Sequence, residues 1–338
     1  MVDLRNFTLA ELQDFVADMG QPEFRAKQIY NWIYRGVKSF REMKNLPEAF
    51  LNELEKKCSP GTLTLEKRQM SKEDGTQKFL FALEDGHKVE SVFMKYKYGN
   101  SVCISSQAGC RMGCKFCASG LLGLARNLTA GELVSQVMDI ENITGERVSR
   151  VVVMGTGEPF DNYENLSKFL SIMNDSNGRN MGMRNFTVST CGLVPEIEKF
   201  AKDFPQVNLA ISLHAVSDDI RSEIMPVNNR YNISELMAQA KKYTEITHRR
   251  VTFEFALIKG INDDEDTVKA LEKLVSCMLC HINLIPLNEV SENGLKTAGR
   301  SRALEICGYL ERHGIPCTVR RQLGADISGA CGQLRLDS

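Results

Sequence analysis

The sequence predicts an α/β fold: a partial (β/α)6 barrel of the TIM type, preceded by an N-terminal accessory region of helices and a small β unit. Three observations lead there. From about residue 100, strand-like apolar runs alternate with amphipathic helical stretches, the pattern of parallel strands joined by crossover helices. Capping boxes mark where two of those helices begin, T-x-x-E at Thr129 and Glu132 and N-x-x-E at Asn232 and Glu235. Polar residues recur just past the strand runs, where β/α barrels gather their chemistry, and this favours a barrel over a doubly wound open sheet.

Taken in order, residues 1–58 read as helices. Leu9, Leu12, Phe15 and Val16, then Ile29, Trp32 and Ile33, are spaced to share one helical face. Residues 61–95 read as a small antiparallel unit, TLTLEKRQ, TQKFLFAL and HKVESVFMKY, with turns at the two EDG triplets. Together they make an accessory domain over 1–97. The core is expected over 98–338: the strand SVCIS, a long loop, a helix from Thr129, the strand SRVVVM, a helix near 163–174, NFTVST, and a helix near 194–203. VNLAISL, RVTFEFAL, CHINLI and PCTVR follow, separated by helical sequence.

Bulk properties narrow the class. A chain of 338 residues that is 43% hydrophobic can bury a large core. No apolar run is long enough to span a bilayer, and the acidic, amphipathic start is unlike a signal peptide. Eleven cysteines, an odd number at irregular spacing, point to a reducing cytoplasm where thiols serve metal and catalysis. A net charge of −1 argues against binding a polyanion over the whole surface, while leaving room for a local basic face. Nothing suggests more than a monomer.

The run QAGCRMGCKFCASG holds Cys110, Cys114 and Cys117 at C-x3-C-x2-C spacing. Structural zinc wants four ligands, so a zinc reading requires a distant fourth residue. Three thiolates on a four-iron cluster leave one iron open. That iron can chelate S-adenosylmethionine and pass an electron to its sulfonium, which is the chemistry of the radical-SAM enzymes. Phe116, between the last two cysteines, is aromatic as it usually is in that superfamily.

At the next strand exit Gly155, Gly157 and Glu158 form a glycine-rich turn ending in a carboxylate. Its glycines admit close backbone approach and Glu158 can meet the methionine ammonium; by itself G-x-G-E is also a plain βα turn. Ser189 and Asn288 are read equally as cofactor contacts or strand-end caps. Ser212, Leu213 and His214 close another strand. His214 is assigned to backbone or cofactor contact, not proton transfer. Cys277-x-x-Cys280-His281 fits covalent haem attachment but overlaps a helix end and a strand, so both cysteines are expected in the core. Cys103, near the end of the first core strand, and Cys331, in the glycine-rich GADISGACGQL, are candidate nucleophiles.

With these motifs assembled, the chain resembles the radical-SAM RNA methyltransferases that make 2-methyladenosine, the RlmN family. The likeness runs nearly end to end, through VESVFM, SVCISSQAGCRMGCKFCASG, LTAGELVSQV, MGTGEPFDNYENL, STCGLVPEI, VNLAISLHA, MPVNNRY and VRRQLGADISGACGQL. The resemblance implies a [4Fe-4S] cluster on Cys110, Cys114 and Cys117, and two S-adenosylmethionine molecules per turnover. Cys331 would take a methyl group from the first. The radical from the second would abstract hydrogen from that methyl, and the carbon radical would add to C2 of adenine. Cys103 would then attack Cys331, forming a disulfide and releasing the base. Glu90 is the matching proton acceptor, or else an exposed strand residue.

The implied substrates are 23S rRNA in the peptidyl-transferase centre and tRNA beside the anticodon, with an electron donor such as flavodoxin. Lys27, Arg35, Lys38 and Arg41 are available for phosphates, or are a solvated face; Arg320 and Arg321 are expected nearer the site. The related C8-methylating resistance enzymes share these cysteines, though Pro159 and the Arg320-Arg321 pair resemble the C2 group. A non-enzymatic Fe–S or zinc RNA-binding protein is the reading from another class, and it has no use for Cys103 and Cys331.

Overall fold

The computed structural model describes residues 1–290, 292 and 294–334; the last four residues of the expected core, 335–338, lie outside the described part. The N-terminal helices are α1 (Leu9–Asp18), α2 (Phe24–Ile33) and α3 (Glu48–Lys57). Thr8 and Glu11 close a capping box on α1, and Leu12, Val16, Ile29 and Ile33 are buried as their spacing requires. The short strands β1 (Val2–Asp3) and β2 (Cys58–Ser59) pair in parallel and bring the two ends of this segment together. Arg5 fastens it to the core: its guanidinium, fully buried, bonds Asp139 Oδ1 at 2.8 Å and Ser135 Oγ at 3.1 Å.

Strands β3 (Thr64–Met70), β4 (Gln77–Ala82) and β5 (Lys88–Tyr96) form the expected antiparallel run, turned by Gly75 and Gly86 of the EDG triplets, both at positive φ. They do not stand apart as a small sheet. β5 pairs antiparallel with β6 (Gly99–Ile104), and so continues the sheet of the core. The reason lies in the burial of β4 and β5 on both faces, which alternation by itself does not reveal.

The loop expected after β6 contains a second antiparallel pair, β7 (Gln107–Cys110) with β8 (Gly123–Asn127). Gly109, at φ +82°, is essential there, because a Cβ would overlap the Gly123 carbonyl. Then follow α4 (Ala130–Thr144), β9 (Val148–Val153), α5 (Tyr163–Asn174), β10 (Phe186–Thr190), α6 (Val194–Asp203), β11 (Asn208–Ser212), α7 (Asp218–Ile224), α8 (Ile233–Thr247), β12 (Val251–Leu257), α9 (Glu265–Val275), β13 (Cys280–Pro286), α10 (Gly299–Arg312) and β14 (Cys317–Val319). Both predicted capping boxes are present, at the starts of α4 and α8.

Among the described residues ten strands make one sheet, in the order β14-β13-β12-β11-β10-β9-β6-β5-β4-β3, parallel from β14 to β6. Its two edges are not paired with each other, so the barrel is partial. One face carries Val102, Val151, Val188, Leu209, Phe253 and Ile282, all fully buried within the main core. Register places Cys103 beside Val152, and Ser212, Glu254 and Asn283 side by side, on the opposite, inner face. Cys280 is buried, but Cys277 is exposed: it falls in the turn after α9, beyond the last helical residue that packs inward.

Candidate active site

The cysteine motif sits on the β7–β8 excursion above the inner face. The loop is held on both sides: Lys115 N–H donates to Ile224 O at the end of α7 (2.9 Å), and Ala118 N–H donates to Gly332 O of the C-terminal segment (2.8 Å). Cys110, Cys114 and Cys117 open into one cavity, with Met112 and Phe116 beside them. Among the described residues no three His, Cys, Asp or Glu side chains stand close enough to grip a single ion. Thiols spread around one cavity suit a multi-iron cluster, whose thiolates attach to separate irons, better than a closed tetrahedral zinc site. Burial pushes the Cys110 thiol up to about 11 and moves Cys114 and Cys117 in the same direction; Cys117 adds to the effect on Cys110 and Cys114, and Cys331 adds to the effect on Cys117. Any metal taken up on these sulfurs would have to displace protons, and its positive charge would favour that exchange.

The strand exits complete the cavity. Gly157 and Glu158 follow β9, Ser189 ends β10, Ser212 and His214 flank the β11 exit, and Asn288 follows β13. Gly157, at φ +108°, lies so close to Ser106 and Gln107 that a Cβ would come within 2.7 Å of both. Glu158 is buried, and both its oxygens are already in use. Oε1 accepts the Phe160 N–H at 3.0 Å and Oε2 the Cys191 N–H at 2.7 Å, which straps the β9 exit to the β10 exit. Burial raises its pKa, against the pull of these donors.

Leu213 does not reach the cavity; it is fully buried, and its N–H donates to Glu254 O at 3.1 Å. His214 adopts a left-handed φ of +56°. Its Nδ1 accepts the Ala256 N–H at 2.9 Å, and its ring meets the Phe116 ring edge-on at 4.6 Å. Burial, with Arg221 nearby, pushes it down to about 3, so the ring is neutral and its contacts are to backbone and Phe116.

Cys331 borders this cavity and a second one as well. The second is lined by Cys103, Met94, Tyr96, Arg320, Arg321 and Leu334. Cys331 thus stands between the three cysteines of the motif and Cys103, and all five are free thiols. The glycine-rich segment around it is packed down: Asn288 Nδ2 donates to Cys331 O (2.9 Å), Ser119 Oγ donates to Leu334 O (2.9 Å), and Leu334 is buried against Val92 and Cys103. Burial pushes Cys103 up to about 12, with Cys331 adding to the effect and the Arg320 guanidinium opposing it. Arg320 is oriented by Glu254 at 3.6 Å, which Asn283 Nδ2 holds at 2.8 Å.

Glu90 is not an exposed strand residue. It is fully buried on β5, 3.0 Å from Lys78 Nζ, and lines neither cavity. Lys78 also donates to Ser328 O at 3.4 Å, so the pair lies beneath the Cys331 segment. Lys27, Arg35 and Lys38 are exposed, whereas Arg41 is engaged by Glu55 and Asn52.

Three residues of the site went unread in the sequence. Cys191, a fifth cysteine in the main cavity beside the three of the motif and Cys331, stands two residues after Ser189 in STCG, where the sequence offers a signal for it. Glu254 also left a trace, as the one carboxylate within the apolar run VTFEFAL. Arg221, buried behind the cavity, has nothing in its local sequence to separate it from a surface arginine.

Comparison with known proteins agrees with this geometry. Residues 104–274 match the radical SAM superfamily, and residues 2–59 match a ribosomal RNA large subunit methyltransferase N-terminal domain. The chain is 50% identical over 336 residues to the "Probable dual-specificity RNA methyltransferase RlmN" of Clostridium perfringens strain SM101, covering 99% of this chain and 97% of that one. It is 48% identical over 336 residues to the protein so named in Lachnospira eligens, covering 99% and 96%. A crystal structure of a radical SAM methyltransferase from Sphaerobacter thermophilus superposes with a TM-score of 0.96 at 43% identity over the full length of both chains.

Proposed function

The chain belongs to the RlmN family of radical SAM RNA methyltransferases, and from that premise we propose that it methylates C2 of an adenosine in 23S rRNA and of the adenosine 3′ of certain tRNA anticodons. The observation that carries this reading is the place of Cys331, between the three cysteines of the motif and Cys103.

Cys110, Cys114 and Cys117 hold the [4Fe-4S] cluster, and the β9–β13 exits hold S-adenosylmethionine. Bound there, they supply a methyl group and an adenosyl radical at different stages of one turnover. The protein's own part centres on two sulfurs. Cys331 Sγ carries the methyl carbon, and Asn288 steadies the Cys331 backbone at the edge of the cavity. Release of the base forms the Cys103–Cys331 disulfide as the bond from Cys331 Sγ to the methylene carbon breaks; the electron pair of that bond stays on the carbon, which takes up a proton and becomes the methyl group of the base. The Cys103 proton must leave as that happens, and the Arg320 guanidinium favours its loss. The base's own proton goes to an acceptor, for which Glu90 is our candidate, and the unpaired electron left by radical addition would return to the cluster that gave one up to S-adenosylmethionine. The ion pair of Glu90 with Lys78 argues that it acts only after the covering segment moves. A reductant then restores both thiols.

Residues 1–97 serve as the grip on RNA, with exposed Lys27, Arg35 and Lys38 meeting phosphates. Among the described residues no helix is long and apolar enough to cross a membrane. We place the protein in the cytoplasm as a monomer reduced by a flavodoxin-type donor.

The test is anaerobic loading with iron and sulfide, then turnover on unmodified rRNA fragment and tRNA with S-adenosylmethionine and reductant, reading nucleosides by mass spectrometry. 2-Methyladenosine with 5′-deoxyadenosine is expected; 8-methyladenosine would move the protein to the C8 group. Cys331→Ala should keep its cluster and lose all methylation, and an active variant would overturn the mechanism.

A further inference from the structure

Arg221 on α7 is fully buried, and every group its guanidinium bonds is uncharged. Nε donates to Leu213 O at 3.1 Å. One terminal nitrogen donates to Asn228 Oδ1 at 2.9 Å, the other to Cys191 O at 2.8 Å and Ser212 O at 3.1 Å. Other buried cations in the molecule have a carboxylate: Arg5 has Asp139, Lys78 has Glu90, and Arg179 has Glu141. Arg221 forms no ion pair among the described residues. Asp218, whose field reaches it, bonds Asn228 and the Ile233 N–H instead. An unpaired charge in a protein interior costs several kcal/mol, so a fully buried cation calls for a counter-charge.

The place of Arg221 indicates where that charge belongs. Its helix abuts the cysteine loop through Lys115 N–H to Ile224 O, and Ile224 and Met225 pack with Met112, Cys114 and Phe116. The carbonyl it grips belongs to Cys191, which shares the cavity with Cys110 and Cys114. Arg221 itself stops short of the cavity. It therefore projects positive charge toward the cluster site without touching any ligand there.

We propose that Arg221 is the built-in counter-charge of the iron–sulfur cluster and holds its reduction potential up. This rests on the reading of the three cysteines as cluster ligands. A cluster on three thiolates is net anionic and becomes more so on reduction, so a fixed cation nearby favours the reduced form. Arginine suits the task because its guanidinium stays protonated when buried, where a lysine readily gives up its proton. It is a positioning residue for charge, not a catalytic one.

The experiment compares the full chain, loaded anaerobically with iron and sulfide, as wild type, Arg221→Gln, and the double exchange Asp218→Asn with Asn228→Asp. The exchange keeps the total charge and the bond between positions 218 and 228, but moves a carboxylate onto the guanidinium. Iron and sulfide content and an EPR-monitored redox titration are measured without RNA. Both variants should hold the cluster and show at least a tenfold fall in the ratio of reduced to oxidised cluster at a fixed potential, equivalent to a negative shift of about 59 mV for one electron. Should Arg221→Gln fail to fold, the double exchange decides alone. A double exchange that holds a full cluster at the wild-type potential would overturn the proposal and leave Arg221 as a strap for the strand exits. A wild type that assembles no cluster would instead overturn the reading on which it rests.

Discussion

Glu158→Gln puts the strap between two strand exits to the test. The carboxylate accepts backbone N–H groups at 3.0 and 2.7 Å from residues on either side of the cavity, and it is 3% exposed. A glutamine presents one acceptor and one donor. Whichever way its amide turns, an NH2 faces a backbone N–H that it cannot satisfy. A hydrogen bond to a charged group contributes about 1.5–3 kcal/mol, and a buried N–H left alone costs about 1–3 kcal/mol. Against this, the variant no longer buries a charge; burial raises the Glu158 pKa, so that relief is real. The balance is a loss of about 2–4 kcal/mol in unfolding free energy for the metal-free protein. Denaturant titration at about pH 7.5 should show a lower midpoint at an unchanged slope, and equilibrium dialysis of the loaded variant should show weaker S-adenosylmethionine binding. An unchanged midpoint with weakened binding would refute the reasoning, because the carboxylate would then act on the ligand alone.

Other perturbations probe neighbouring parts of the molecule. Arg5→Met leaves Asp139 buried without its cation and should cost about 3–5 kcal/mol in a denaturant titration; a loss below about 1 kcal/mol would show that the N-terminal segment is fastened elsewhere. His214→Asn keeps an acceptor for the Ala256 N–H and tolerates the left-handed backbone. Since the ring is held near pKa 3, the pH–rate profile between about pH 5 and 8 should keep its shape, and a vanished inflection near neutrality would make His214 a proton carrier after all. Burial pushes Asp3 up to about 6. Its folded pKa exceeds the unfolded one, so the stability it adds is complete below the ordinary carboxylate range and is lost as pH rises through 6. Asp3→Asn should flatten stability between about pH 4 and 7, and an equally steep variant would exclude Asp3 as the source.

Local spacing carried much of this protein. The C-x3-C-x2-C run, the capping boxes at Thr129 and Asn232, the EDG turns and the alternation of strand and helix are each determined within a few residues, so they can be read without knowing what lies across the fold. Strand exits follow from the strands, and that is why Ser189, Ser212, His214, Glu158 and Asn288 were legible as a group.

Tertiary structure decided what depends on distant partners. Only the sheet shows that β5 joins β6, that Glu90 is buried against Lys78, and that Glu158 spends both oxygens on backbone. Cys103 and Cys331 are 228 positions apart in sequence, and their meeting at one cavity is a product of the folded C-terminal segment. Arg221 makes the physical reason plain. Its neighbours arrive from β10, β11 and the turn after α7, so burial and the absence of an ion pair are properties of the packed molecule, to which no short stretch of sequence gives access.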